Sequence, residues 1–424
     1  MGIKAIRAAA VIFALIGMCC SACTPSADAL PAAGEPLNLK TIPWEGGPGY
    51  WKSFAKADAA GWDDPAFFPI AIWYNGISTD DEVRFDKDHG INTYIGMDSS
   101  TPYSIFDRNG VFWIGGKLND SFTSSSRNWV GAILDDEVDG RFTPEEGRKH
   151  LAQLRAEVPP GLFSYANFTN MVIGNNMKAA DAQAFVNEFT DAVSVDMYWY
   201  TVPTCNPATY VNTNIVPISR ESCRSASSYG KTLDALRLQD AADGKLQPLW
   251  QFVENLNGGP GGGSHVANIA ADQLQGAVMN SVIHEARGIV YFNQSLNGPC
   301  LAGSALRAAQ VSPGFCGAAQ MEAMRTINAH IRELAPVINT QSFEYRFGDG
   351  MDTMLKVHEG YAYVFAMIEA GSRPGDRTLT LPGSIKTSSA EVLFENRSIS
   401  VDSQGKFSDS FPKESTYHIY KVKL

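Results

Sequence analysis

Residues 269–292 read IAADQLQGAVMNSVIHEARGIVYF. From Ile269 to Ala286 apolar residues recur at helical spacing, and Gly288 to Phe292 is an apolar run of strand length. A second such run, Leu249 to Val253, precedes the helical segment, so the three pieces make one strand, helix, strand unit. The unit recurs upstream. Further candidate strands are Phe67 to Tyr74, Ile91 to Met97, Val111 to Gly116, Trp129 to Leu134, Gly161 to Asn167 and Ala192 to Trp199. Helical patterns cover Pro144 to Val158, behind the N-cap Thr143 with Glu145 and Glu146 in the first turn, and Ala179 to Phe189, Lys231 to Ala241 and Met321 to Ile338. Eight repeats between Phe67 and about Asn339 predict a (β/α)8 barrel, a fold of roughly 250 residues. Its weakest units are the second and third, where Ser99 to Gly110 is a poor helix. A doubly wound open sheet is the alternative, but no Gly-x-Gly-x-x-Gly turn follows a strand to seat a nucleotide.

Beyond Asn339 the rhythm changes to short alternating strands without helices. They are Phe343 to Phe347, Met354 to Val357, Tyr361 to Glu369, Thr378 to Leu381, Ala390 to Phe394, Ser398 to Val401 and Thr416 to Val422, which predict an antiparallel β-sandwich. Before the barrel, residues rich in Pro, Gly and Ala with Trp44, Trp51 and Trp62 predict a linker and an arm packed on the main domain. The expected division is a signal peptide at 1–22, linker and arm at 23–66, barrel at 67–340 and sandwich at 341–424.

The chain has 424 residues, 44% hydrophobic and 19% charged, with a net charge of -11. That acidity disfavours a nucleic-acid partner, which needs a basic face to displace counterions. An aromatic share of 11% supplies flat apolar rings of the kind sugars stack on.

Lys4 and Arg7, the apolar stretch Ala8 to Met18 and the small pair Ser21-Ala22 before Cys23 read as an export signal. Cleavage before Cys23 predicts a lipid-anchored lipoprotein; cleavage after Ala27-Asp28-Ala29 predicts a secreted chain. A lipid at Cys23 is then the only expected membrane contact. Of the 7 Cys, Cys19, Cys20 and Cys23 lie in the leader, and Cys205, Cys223, Cys300 and Cys316 remain. Four cysteines in an exported chain predict disulfides with three possible connectivities, the local one joining Cys205 to Cys223 and Cys300 to Cys316. Their spacing does not suit zinc.

In a barrel the reactive groups sit at the carboxyl ends of the strands. The fourth candidate strand runs into Asp135-Asp136-Glu137, and the seventh ends Phe252-Val253-Glu254. Strict alternation puts Gly131, Ile133, Asp135 and Glu137 on one face, with Val130, Ala132 and Leu134 toward the helices. On the sixth strand it groups Ser194, Asp196 and Tyr198. If Glu254 points into the mouth, Gln251 must face the helices. Two carboxyl groups across a pocket are what glycosidic bond cleavage requires, one protonated to serve the leaving oxygen and one ionised at the anomeric carbon.

These strand ends resemble those of the retaining (β/α)8 glycoside hydrolases of clan A, as do Phe67 to Tyr74, Asp196-Met197-Tyr198 and Ala286 to Phe292. The resemblance implies Glu137 as acid/base, Glu254 as nucleophile and Tyr198 as a hydroxyl orienting the nucleophile. That family carries Asn where this chain has Asp136, so Asp135 and Asp136 stay open as alternative proton donors, with Asp196 a supporting acid. Candidate sugar contacts are Trp73, Tyr74, Trp113, Trp199, Tyr198 and Tyr200 by stacking, and Asp98, Asn167, Asn170, Asn255 and Asn293 by hydrogen bonding. The glycine-rich Asn257 to Ser264 reads as a flap over the site. No cofactor or metal is expected: the seven His show no metal-binding spacing, and no Gly-x-Ser-x-Gly elbow marks an esterase. The sequence therefore reads as an exported glycoside hydrolase with a carbohydrate substrate, or alternatively as a non-catalytic, surface-anchored glycan-binding lipoprotein on the same scaffold. Oligomeric state is not legible.

Overall fold

The structure is a computed structural model describing residues 37–97, 100–206, 213–259 and 263–424. The export signal, Cys23 and Asp98 lie outside these residues. Eight parallel strands close a barrel: β1 (Ile70–Trp73), β2 (Thr93–Ile95), β3 (Phe112–Ile114), β4 (Trp129–Asp136), β5 (Phe163–Phe168), β6 (Ala192–Val195), β7 (Leu249–Glu254) and β8 (Gly288–Phe292). Closure is direct, with Ala71 paired to Val290 across β1 and β8, so the open-sheet alternative is excluded. These are the eight strands expected from the sequence, with β1, β2, β3 and β6 shorter than expected and β4 and β7 running on to Asp136 and Glu254. Their side chains are buried on both faces because the barrel fills one side and helices cover the other. Ala71, Trp73, Ile95, Ile114, Phe252 and Val290 pack inside, while Ile70, Ile72, Val193, Leu249 and Val253 pack against the helices.

Helices Pro144–Ala156, Ala179–Asn187, Ala226–Asp240, Ala271–Ile283 and Ala318–Ile338 occupy the predicted segments. Thr79 opens a further helix, Asp80–Asp88, with a capping box to Glu82. The poor segment after β2 still forms the short helix Tyr103–Asn109, ended by Gly110 in the left-handed region.

Strand β4 departs from strict alternation. Opposite Trp113 and Ile114 the pairing steps from Trp129 to Gly131, leaving Val130 as an extra residue. A bulge of this kind shifts the phase of the side chains, and Val130 joins the interior cluster rather than facing the helices.

The arm closes the amino-terminal end of the barrel. Trp51 and Trp62 are buried among Phe67, Phe163 and Trp250. Glycine creates room for them: a Cβ at Gly131 would lie 2.7 Å from the Phe163 ring, and one at Gly288 would lie 2.8 Å from Trp250. Strand Thr41–Ile42 of the arm extends the carboxyl-terminal sheet by pairing with Ser342–Phe343.

That sheet has seven strands and faces a two-stranded one, Gly375–Thr380 with Lys406–Phe411. The fold is thus a (β/α)8 barrel followed by a β-sandwich. A buried ionic cluster joins the parts: Glu285, before β8, binds Arg287, Lys356 of the sandwich and Ser342. Trp44 of the arm lies 4.1 Å from the Arg287 guanidinium and 4.8 Å from Lys356 Nζ. Disulfides join Cys205 to Cys223 and Cys300 to Cys316, the local connectivity. Among the described residues no helix is long and apolar enough to cross a membrane.

Candidate active site

At the carboxyl end of the barrel lies a pocket of about 400 Å³. Glu137, Thr169, Asn170, Asp196 and Asn257 form its polar wall, and Met197, Tyr198, Val202, Phe292 and Leu296 its apolar wall. Tyr198 and Phe292 stand side by side, ring centroids 5.2 Å apart. The described lining contains no Lys, Arg or His.

The end of β4 decides which acid points where. Between Ile133 and Asp136 the pairing with β5 advances three residues against two, so Asp136, not Asp135, lands opposite Asn167. The phase shift turns Asp135 away from the mouth, where Arg141 holds it at 2.6 Å and His150 at 2.6 Å. These partners keep its carboxyl below the usual range against the opposing effect of burial. Asp135 is therefore not a mouth residue, contrary to the alternation expected from sequence. Glu137 follows with φ 53, ψ 33, a left-handed conformation that costs a non-glycine residue about 1 kcal/mol or more. It ends the strand and brings the Glu137 side chain to the pocket.

Asp136 accepts from Asn167 Nδ2 at 2.9 Å, and Asn167 Oδ1 accepts from Ser194 Oγ at 2.7 Å. Since the Ser194 proton is used there, Tyr165 donates to Ser194 at 2.6 Å. Asn167 is thus spent on a buried chain and does not line the pocket. Burial pushes Asp136 up to about 6. Asp139 is buried too, accepting from the Thr169 backbone and hydroxyl, and is likewise raised to about 6 by burial.

Asp196 continues past β6 into the pocket and hydrogen-bonds Glu137. Its carboxyl is raised well above the ordinary value, by burial first and then by the charge of Glu137 and its hydrogen bond. Two carboxylates can only accept, so this contact requires one proton between them. No N–H or hydroxyl serves Asp196 Oδ1, and Asn257 Oδ1 is equally without a donor among the described residues. The polar wall is therefore rich in acceptors.

Glu254 is fully buried and is not part of the pocket wall. Tyr229 Oη lies 2.9 and 2.7 Å from its two oxygens, and Thr201 Oγ1 donates at 3.0 Å. Gly258 donates to Thr201 Oγ1 and seats on the Tyr198 ring, where a Cβ would come within 2.4 Å of the ring carbon. Tyr198 and Asn257–Gly259 line the pocket, with Glu254 behind them. Burial raises Glu254 to about 7, opposed by the Tyr229 and Thr201 hydroxyls. Gln251 is buried, as the expected alternation demands, between the helix-facing Leu249 and Val253.

Several expected sugar contacts lie elsewhere. Trp73, Trp113, Trp199 and Tyr200 are buried packing residues; Trp113 donates to Gly116 O and Trp199 to Thr232 Oγ1. Asn255 donates to Asn293, and Asn293 to Asn75 and Ser304, a buried network beside β8. Tyr74 is 52% exposed. Asn170 and Tyr198 line the pocket. Residues 260–262 of the glycine-rich stretch lie outside the described residues. Tyr229, Thr201 and Phe292 were not singled out from sequence as site residues, and Asn257 only as the start of the flap. Phe292 alone carried the strand-end signal; Tyr229 belongs to the helix Ala226–Asp240, where nothing marks a residue as facing the site.

A carboxyl raised on folding stabilises the fold fully below its unfolded value and loses that contribution as pH rises through the folded one. For Glu254 the window runs from its ordinary 4.5 to about 7, worth up to about 3 kcal/mol. Glu254→Gln keeps the shape without ionising. Relative to this variant, the wild-type protein is expected to lose stability between about pH 4.5 and pH 7, read from urea midpoints across that range. A constant difference would contradict the raised value.

No family model matches the chain, and no curated protein matches it. Solved structures similar to it include an endoxylanase and an α-amylase. A GH30 endoxylanase from Clostridium papyrosolvens C71 has a TM-score of 0.44 at 10% identity, over 84% of this chain and 97% of that one. AmyP in complex with maltose has a TM-score of 0.44 at 9% identity, over 86% and 98%. The α-amylase of Geobacillus thermoleovorans complexed with acarbose has a TM-score of 0.36 at 10% identity, over 85% and 99%.

Proposed function

We propose that this protein is an exported glycoside hydrolase, lipid-anchored at Cys23 or secreted, that cleaves O-glycosidic bonds with Glu137 as acid/base and Glu254 as nucleophile. The observation that carries the reading is the Glu137–Asp196 pair, a carboxyl dyad holding a proton in a pocket at the carboxyl end of the barrel. A carboxyl proton held above the ordinary carboxylate range is what the leaving oxygen of a glycoside needs. The two carboxyls touch, so they cannot flank a sugar ring, which requires about 5 to 5.5 Å between the acid and the nucleophile. Asp196 then acts as proton keeper for Glu137, and the second carboxylate is Glu254, whose ionised form Tyr229 and Thr201 favour by donating to it.

The pocket chemistry points to the ligand. The apolar wall with Tyr198 and Phe292 suits the flat C–H face of a pyranose or furanose. The lining carries acids and no cation, which favours neutral sugars over uronates.

One observation favours a second reading. Glu254 has no exposed surface, as a binding protein on the same barrel would tolerate. Incubation with neutral polysaccharides and with a mechanism-based fluoro-sugar, followed by peptide mapping, separates the two. Label on Glu254 is the expected result, and binding without turnover or label would replace the enzyme by the glycan-binding lipoprotein.

A further inference from the structure

We infer that Glu414, supplied by the sandwich domain, is a positioning residue for Glu254, so that the second domain helps to build the site. The inference rests on the reading of Glu254 as the functional carboxylate and gives the sandwich a task beyond capping the barrel.

The path is continuous. Glu414 lies in the turn between strands Lys406–Phe411 and Tyr417–Lys423. One of its oxygens accepts from Tyr200 Oη at 2.7 Å, and the other accepts from the backbone N–H of Ala226, the first residue of the helix Ala226–Asp240, at 2.9 Å. That helix carries Tyr229. The backbone N–H of Tyr200 donates to Tyr229 Oη at 3.2 Å. A phenol has one proton, and with its oxygen already accepting from Tyr200, the proton of Tyr229 is directed to Glu254. Glu414 therefore fixes both ends of the unit that orients this donor: the side chain of Tyr200 and the start of the helix bearing Tyr229.

The turn is built to hold this place. On either side of Glu414, Lys413 Nζ and Ser415 Oγ each lie 3.0 Å from Asp272 Oδ2, at the start of the helix Ala271–Ile283. Gly276 lets the turn approach, since a Cβ there would stand 2.9 Å from Ser415. The groups facing Glu254 are Tyr229 from the helix and Thr201 with Tyr198 from the segment after β6; no cation is among them. The hydrogen bonds thus decide how readily Glu254 ionises, and the bond from Tyr229 is the largest influence opposing burial.

The test uses the full chain labelled with 13C at glutamate carboxyls, the Glu254 signal being identified by its loss in Glu254→Gln. In Glu414→Ala and, independently, in Tyr200→Phe, which leaves the sandwich untouched, the Glu254 titration midpoint is expected to rise by about one pH unit as the Tyr229 donor loosens. Arg325→Ala removes only an exposed ion pair with Glu322 and is expected to leave the midpoint in place. On a hydrolysed glycoside, kcat is expected to fall about tenfold in Glu414→Ala with KM unchanged. A midpoint unmoved in both Glu414→Ala and Tyr200→Phe overturns the inference even if Glu254→Gln abolishes hydrolysis. A shifted midpoint in a protein that hydrolyses no glycoside upholds the positioning and overturns only the catalytic reading.

Discussion

Glu137→Gln is expected to lower turnover on glycosides with poor leaving groups by about 10²- to 10⁴-fold, the usual contribution of a positioned general acid. Glutamine keeps the side-chain shape but has no carboxyl proton to give, so the variant fails where the leaving oxygen most needs protonation. Aryl glycosides with acidic phenols need no such help and are expected to retain far more activity. Glu254→Gln should fail with every leaving group, because the attacking carboxylate itself is gone. If the two act as one unit, the double variant will be little worse than the poorer single one. Asp135→Asn is the internal control: its carboxyl is turned toward Arg141 and His150, and turnover within about threefold of wild type is expected. Glu137 is partly exposed, and the glutamine amide can keep the contact by donating to Asp196, so the thermal midpoint should move little. Normal hydrolysis by both glutamine variants would remove the glycosidase assignment.

The barrel was legible because each strand is an apolar run long enough to be buried on both faces. Strand-end acids followed from the same reading, with Glu137, Asp196 and Glu254 at the ends of β4, β6 and β7. The direction of each acid was not. An extra residue between Ile133 and Asp136 leaves no mark in composition or periodicity, yet it exchanges Asp135 for Asp136 on the inner face and consumes Asn167. Tyr229 was hidden for a different reason. It approaches Glu254 from a helix, and only three-dimensional packing brings that helix to the strand end. In the sandwich, Lys406–Phe411 escaped notice because its buried Phe407 and Phe411 stand four residues apart with Ser408, Asp409 and Ser410 between them. A strand signal depends on period two, and this strand carries only half of it. The rings expected to stack on sugar were mostly needed for packing: Trp113 and Trp199 satisfy their indole N–H groups inside the protein.

Trp62→Ala is expected to destabilise the fold by about 3 to 5 kcal/mol, the cost of truncating a large buried aromatic and leaving a cavity. Trp62 is 1% exposed and packs on Phe67, Trp51, Phe163 and Trp250 at ring separations of 4.7, 4.9, 5.4 and 6.3 Å. At that level Gly131 and Gly288 lie against the Phe163 and Trp250 rings and have no side chain to refill the space. Against a total stability of about 5 to 15 kcal/mol, the loss would bring the chain close to unfolding at 37 °C. The indole N–H of Trp62 has no partner among the described residues. Trp62→Phe forfeits no hydrogen bond and should cost only about 1 kcal/mol. Urea midpoints of the two variants, at unchanged slope, measure the difference. Near-equal midpoints would mean that the arm lies on the barrel without supporting it. Because the plug fills the end opposite the pocket, kcat of the folded fraction should be the same in both variants. A fall in kcat for Trp62→Phe at full folding would instead mean that packing at the base of the barrel is transmitted to the strand ends that carry Glu137 and Glu254.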